Sequence, residues 1–214
     1  MAAHAGTVFL GGPVLPGGAM IASVRSLQAL KFRGIVRQHT DYSCGAAALA
    51  TILDYAYGQH QTERQVILGM LRVSNPGVVR ERGFSMLDMA RYLSHEGLHG
   101  AGYRVPMQRL TALRIPAIAL LDIHGYQHFV VLKGVVGGRA YLADPALGNR
   151  SVSLARFKKD WDGVLFLVIG PHYDTHTVLR SRMSVRRVHG VMSALRQGEE
   201  RHLADFGFIS TTLF

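Results

Sequence analysis

The run RQHTDYSCGAAALATILDYAYG, residues 37–58, holds the single cysteine of the chain, Cys44, followed at once by Gly45 and a series of strong helix formers. Small residues (Ala46, Ala47, Ala48, Ala50) alternate with Leu49, Ile52, Leu53 and Tyr57, the spacing of a helix buried on more than one side. Ser43 stands where it can cap that helix, which puts Cys44 in the first turn. Backbone N–H groups there have no helical partners and the dipole end is positive, so the position favours a negatively charged sulfur. Upstream in the same run, Gln38 carries a side-chain amide able to donate toward that spot. A nucleophilic sulfur, a helix end and an amide donor supply half of an acyl-transfer site, and a base must come from elsewhere. Taken alone, a cysteine at a helix start is also what a small buried hydrophobe looks like.

Downstream, Thr62 with Gln65 has the capping-box pattern, and Val66, Ile67, Met70 and Leu71 give a second helix its apolar face. Asn75-Pro76-Gly77 reads as a turn. Ser85 with Asp88 opens a third helix facing inward through Met86, Leu87, Met89, Ala90 and Leu93 and stopping at Gly97. The period then changes. Strands are expected over 99–105, 116–123, 127–136 and 139–143, the last two joined by a Gly137-Gly138 turn. A short helical connection over 108–113, a short helix over 156–161 and a buried strand over 163–169 complete the pattern. Helices first, then a consecutive antiparallel sheet, define an α+β domain over residues 31–171. Residues 1–30 read as a flexible or extended arm, Gly- and Pro-rich to residue 18 and β-prone from 19 to 30, with a further β-prone run over 32–36. Residues 172–214 read as a basic extension with an amphipathic helix over 189–204 and an apolar end, Phe206-Gly207-Phe208-Ile209.

Composition bounds the partners. The 214 residues are 48% hydrophobic and 18% charged, as in a packed globular protein. The net charge of +10 comes mostly from scattered arginines, with a short cluster at Arg180, Arg182, Arg186 and Arg187. No zinc-knuckle, RNP or helix-turn-helix pattern accompanies it, so no nucleic-acid partner is expected. Attraction to acidic partners or an anionic membrane surface stays open. One cysteine excludes an internal disulfide and any cysteine-rich metal site. His124 and His128 lie on a turn–strand segment without metal-ligand geometry, so neither a metal nor a cofactor is expected. No segment reads as a transmembrane helix, and the run over 5–24 lacks the basic start of a secretory signal. Ala3-His4-Ala5 looks like the end of a cleavage site, so the chain reads either as an exported protein with its signal trimmed or as having an ordinary alanine-rich start.

Eleven histidines make a histidine as such uninformative. His128 is distinguished by position, heading the apolar strand Phe129-Val130-Val131 just after the turn-like Gly125-Tyr126. The following strand ends Ala143-Asp144-Pro145. If the two pair through Gly137-Gly138, His128 and Asp144 become neighbours across the hairpin at one end of the sheet. A base and a carboxylate to orient it are what a cysteine nucleophile requires.

Gln38, Cys44-Gly45 heading an alanine-rich helix, then His128-Phe129-Val130-Val131-Leu132, then Ala143-Asp144-Pro145 together resemble the C39 family of cysteine peptidases. The resemblance covers roughly residues 32–170. It implies a papain-like fold, with Cys44 as nucleophile, His128 as general base and acid, Asp144 as its orienting partner and Gln38 as an oxyanion-hole donor. No nucleotide-binding loop is present, so the chain is similar to stand-alone members, in particular those encoded with bacterial functional-amyloid secretion machinery. That likeness implies a protein or peptide substrate linked to secretion, amyloid or biofilm assembly, and a periplasmic rather than cytoplasmic address. Members often cut after Gly-Gly, and Gly17-Gly18-Ala19 is accordingly an autoprocessing candidate. Two other readings use the same residues: a non-catalytic substrate-binding module in secretion, and a papain-like amidase or acyltransferase.

Overall fold

The computed structural model describes residues 6–8, 22–24 and 27–180. Strands β1 (Gly6–Val8) and β2 (Ala22–Val24) pair antiparallel as a two-stranded ribbon, followed by the short helix α1 (Leu27–Lys31). The β-prone stretch over 19–30 therefore contributes one short strand and then a helical turn, and residues 32–36 join no sheet. Gly17-Gly18, the helix expected over 189–204 and the apolar end at 206–209 lie outside the described residues.

Helix α2 (Cys44–Tyr57) is the centre of the domain. Ala46, Ala47, Ala48, Ala50, Leu49, Leu53 and Ala56 are all fully buried, so it is enclosed rather than amphipathic. It ends at Gly58, whose left-handed φ of 65° lets the next N–H cap the Leu53 carbonyl. Helix α3 (Glu63–Leu71) starts with both halves of the Thr62–Gln65 capping box in place. Helix α4 (Pro76–Arg82) replaces the turn read at Asn75-Pro76-Gly77. There Asn75 caps with its side chain and Pro76 takes the first helical position, where its missing N–H costs nothing. Helix α5 (Met86–His95) has the Ser85–Asp88 box, and buries Met89, Tyr92 and Leu93 while Leu87 points to solvent.

The sheet is six-stranded and antiparallel throughout: β3 (His99–Arg104), β4 (Ala117–Ile123), β5 (Tyr126–Val136), β6 (Arg139–Asp144), β7 (Gly148–Ser153) and β8 (Trp161–Ile169), with α6 (Leu154–Asp160) between the last two. Its order is β3-β8-β4-β5-β6-β7, so one strand departs from consecutive pairing: β8 inserts between β3 and β4. Strand β7, polar in composition (GNRSVS), escapes a hydrophobic-pattern reading, yet it pairs with β6 along its whole length. Two-residue turns with positive φ at His124-Gly125 and Gly137-Gly138 close the hairpins on either side of β5.

Both sheet faces are covered, which explains why β5 is apolar without alternation. Phe129 and Val131 face the core made with α2, α3 and α5, whereas Val130 and Leu132 face a second core containing Leu110, Phe157 and Trp161. Residues 174–180 pack back on the end of α2: the Asp174 N–H donates to the Ala56 carbonyl, and Leu179 is fully buried.

The close approach of α2 to β5 rests on Gly45. A methyl group there would sit 2.8 Å from Met89 Cε and 3.1 Å from the Phe129 ring. Gly45→Val is expected to destabilise the domain by about 1–3 kcal/mol through overpacking. A lower urea midpoint at unchanged slope is the expected result in equilibrium denaturation.

Candidate active site

Cys44 is the first residue of α2 and forms part of an open cleft of about 640 Å³, with Tyr42, Val78, Phe84, Tyr126 and Phe129 among its walls. The residue is only 6% exposed, so the sulfur is reached from the cleft rather than from the surface at large. The helix start differs from expectation in one respect. Ser43 occupies the N-cap position but makes no side-chain cap bond. Its hydroxyl turns back, donating to the Thr40 carbonyl at 2.8 Å and accepting from the Thr40 N–H at 3.2 Å. The residue closes the turn that delivers Cys44 and leaves the first N–H groups of α2 without a side-chain cap from Ser43.

His128 and Asp144 meet as the hairpin geometry requires. His128 Nε2 lies 2.9 Å from Asp144 Oδ1, and both residues are buried. Asp144 is fully enclosed, and every bond it accepts favours its ionised form: Ala146 and Leu147 donate backbone N–H groups to Oδ1 at 3.0 and 3.1 Å, and Arg150 Nε reaches Oδ2 at 2.8 Å. Burial opposes the charge on Asp144, but the His128 hydrogen bond and charge, then Arg150 and the Leu147 N–H, outweigh it and hold the carboxyl below its usual range. For His128, burial acts to lower the pKa. The Asp144 hydrogen bond, the Cys44 side chain and the charges on both override it and push the imidazole up to about 9. With Nε2 taken by Asp144, Nδ1 is the ring nitrogen left to address the sulfur. It is buried and makes no hydrogen bond within ordinary limits among the described residues, although the Cys44 side chain lies near enough to raise the pKa of the ring.

Gln38 is half-buried beside this centre. Its backbone N–H donates to the Pro145 carbonyl at 3.0 Å, tying it to the turn that follows Asp144. Its Nε2 donates to the Thr40 carbonyl at 3.2 Å, which uses one of the two N–H groups of that amide. The structure thus brings Gln38, Cys44, His128 and Asp144 to one end of the sheet.

Two contributors carry no sequence signature. Tyr126 lies nearly parallel to the His128 ring at 6.1 Å between centroids, and its hydroxyl donates to the Asp41 carbonyl at 2.9 Å, bridging β5 to the turn that precedes Cys44. Arg150 comes from β7, the strand that hydrophobic pattern misses; only the pairing of β6 with β7 places it against Asp144. His124 and Gly125 serve as the β4–β5 turn, and among the described residues no His, Cys, Asp or Glu cluster suits a metal ion.

A thiol on the buried helix, opposed by a histidine–carboxylate pair on the sheet's end, is the layout of papain-like cysteine peptidases. Comparison with known proteins agrees. The peptidase C39 family profile matches residues 33–171. A Pseudomonas aeruginosa protein described as a probable functional amyloid protease, FapD, is 44% identical over 206 residues, spanning 96% of this chain and 91% of the relative. The Pseudomonas fluorescens protein of the same description is 41% identical over 201 residues, spanning 94% and 89%. A solved double glycine motif protease from an AMS/PCAT transporter, in complex with the leader peptide, superposes with a TM-score of 0.54 at 30% identity, covering 63% of this chain and 89% of that one. The chain belongs to the peptidase C39 family, and it is a cysteine peptidase.

The raised His128 pKa sets the expected pH dependence. The ring keeps its proton up to about pH 9 and loses it above, so kcat/KM is expected to fall as pH rises through about 9. Asp144→Ala removes the hydrogen bond and charge that hold that proton, and is expected to move the alkaline limb to lower pH and to cut kcat/KM by about 100-fold or more. A pH–rate profile of both proteins on one peptide substrate measures this.

Proposed function

We propose that the chain cleaves a protein linked to functional-amyloid secretion, using Cys44 as nucleophile, His128 as general base and acid, Asp144 to orient and charge-stabilise His128, and Gln38 with the start of α2 as the oxyanion hole. The observation that carries this reading is the buried 2.9 Å His128–Asp144 bond beside a cysteine that opens a helix at the cleft.

In the acylation step the Cys44 sulfur, its proton held by His128, attacks the substrate carbonyl carbon. The C–S bond forms while the C=O π electrons move onto oxygen, where the α2 N–H groups and the Gln38 amide receive the charge. As the carbonyl re-forms, the C–N bond breaks and His128 passes its proton to the departing amine. A water molecule, deprotonated by the same ring, then attacks the thioester, and the thiolate leaves with the proton returned to the His128–Cys44 pair. Asp144 remains ionised throughout and steadies each imidazolium stage.

The substrate class is supported by 44% identity across nearly the whole chain to a probable functional amyloid protease. A periplasmic site of action fits substrates that are exported before they assemble. Half-exposed Tyr42, Val78 and Tyr126 give the cleft an apolar lining suited to an extended peptide rather than a small polar amide.

Cys44→Ala is expected to abolish cleavage of the amyloid and export proteins produced alongside this peptidase while leaving the circular dichroism spectrum unchanged. Mass spectrometry of those proteins after incubation with wild type or variant decides it, and cleavage persisting with the variant would sink the proposal.

A further inference from the structure

Glu63 is a buried carboxylate that the acyl-transfer steps do not use. It opens α3, where the helix dipole favours a negative charge, yet it is only 7% exposed. Both of its oxygens go to one residue: Oε1 accepts the His39 backbone N–H at 2.9 Å, and Oε2 pairs with His39 Nδ1 at 2.5 Å. The His39 side chain is itself 76% exposed. Burying a carboxylate is costly, and holding an exposed imidazole is a poor return for it in fold stability. The inward face of α3 is supplied instead by Val66 and Met70.

What the arrangement does fix is the peptide immediately after Gln38. The Gln38 N–H is anchored to the Pro145 carbonyl, and the next N–H, that of His39, is anchored to Glu63. Two consecutive N–H groups held by separate elements, the turn after β6 and the start of α3, set the orientation from which the Gln38 side chain leaves the backbone. We infer that Glu63 is a positioning residue for the oxyanion hole, clamping His39 so that the Gln38 amide is held where the tetrahedral oxyanion forms. This rests on the role given to Gln38 above.

The test compares two reactions of Cys44, only one of which develops an oxyanion. Acylation by N-benzyloxycarbonylglycine p-nitrophenyl ester passes through a tetrahedral intermediate and is read as the p-nitrophenolate burst. Alkylation by iodoacetamide is a displacement at a CH2 carbon and needs no oxyanion hole. Gln38→Ala is expected to slow the burst about 100-fold, the scale of losing one oxyanion donor. Glu63→Gln is expected to slow it about tenfold by misplacing that donor, with the alkylation rate within twofold of wild type. In the Gln38→Ala background, Glu63→Gln is expected to add less than a twofold change, since nothing remains to be positioned. His39→Ala keeps the backbone N–H bond to Glu63 Oε1 and loses only the Oε2 contact, so it should reproduce the pattern more weakly and covers the case in which Glu63→Gln does not fold.

A Glu63→Gln effect that multiplies fully onto Gln38→Ala, or that slows alkylation equally, would overturn the inference while leaving the triad standing. So would wild-type burst rates in both Glu63→Gln and His39→Ala. A burst untouched by Gln38→Ala would instead remove Gln38 from the oxyanion hole. A wild-type burst that does not depend on Cys44 would overturn the nucleophile assignment itself.

Discussion

At Gly45 the backbone of α2 comes within van der Waals reach of the Phe129 ring on β5, and the arrangement of the site follows from that approach. The helix carries the sulfur at its first residue; the strand carries the imidazole one position before Phe129. Pressing helix to strand at this point sets the separation of the Cys44 sulfur and the His128 ring, and a larger residue at position 45 would widen it. Five fully buried alanines along α2 serve the same end, because small side chains allow an enclosed helix to lie close to its neighbours on every side.

The second constraint is electrostatic. Asp144 is fully buried and charged, a state that is tenable only because His128, Arg150 and two backbone N–H groups share it. Three of those four donors come from the turn and strand that follow Asp144, so the β6–β7 hairpin prepares the carboxylate and the carboxylate prepares the histidine. The loop before Cys44 is treated similarly. It is fastened to the β6–β7 turn through the Gln38 N–H, to α3 through His39 and to β5 through the Tyr126 hydroxyl. The loop is thereby fixed to three separate elements, so the candidate site is held as a unit rather than as separate side chains.

Much of this is legible from local pattern. The capping boxes at Thr62 and Ser85, the α2 helix, the Gly137-Gly138 turn and the strand-end placement of His128 and Asp144 all arise from short-range chemistry that residue type and spacing reveal. Where the reading departs from the structure, a competing local signal or a distant partner is the cause. Asn75-Pro76-Gly77 satisfies turn chemistry and helix-start chemistry equally, and the apolar Val79 that follows gives α4 a buried side that tips it to helix. Ser43 had a cap to make, but Thr40 offered its hydroxyl both a donor and an acceptor. Leu87 fits an inward stripe by spacing yet is exposed, while Met89, Tyr92 and Leu93 take the buried side.

By itself, then, the order of residues determined which side chains are candidates for the chemistry and which elements carry them, because a cysteine at a helix start and a histidine and an aspartate at strand ends are local facts. Only the tertiary structure decided what surrounds them. The β6–β7 hairpin that delivers Arg150 is local but too polar to stand out in a hydrophobic pattern, whereas the insertion of β8 between β3 and β4, the Tyr126 bridge and the Glu63–His39 contacts join residues far apart in the chain. Their energies come from burying charge and apolar area against distant partners, and no spacing along the sequence records such partners.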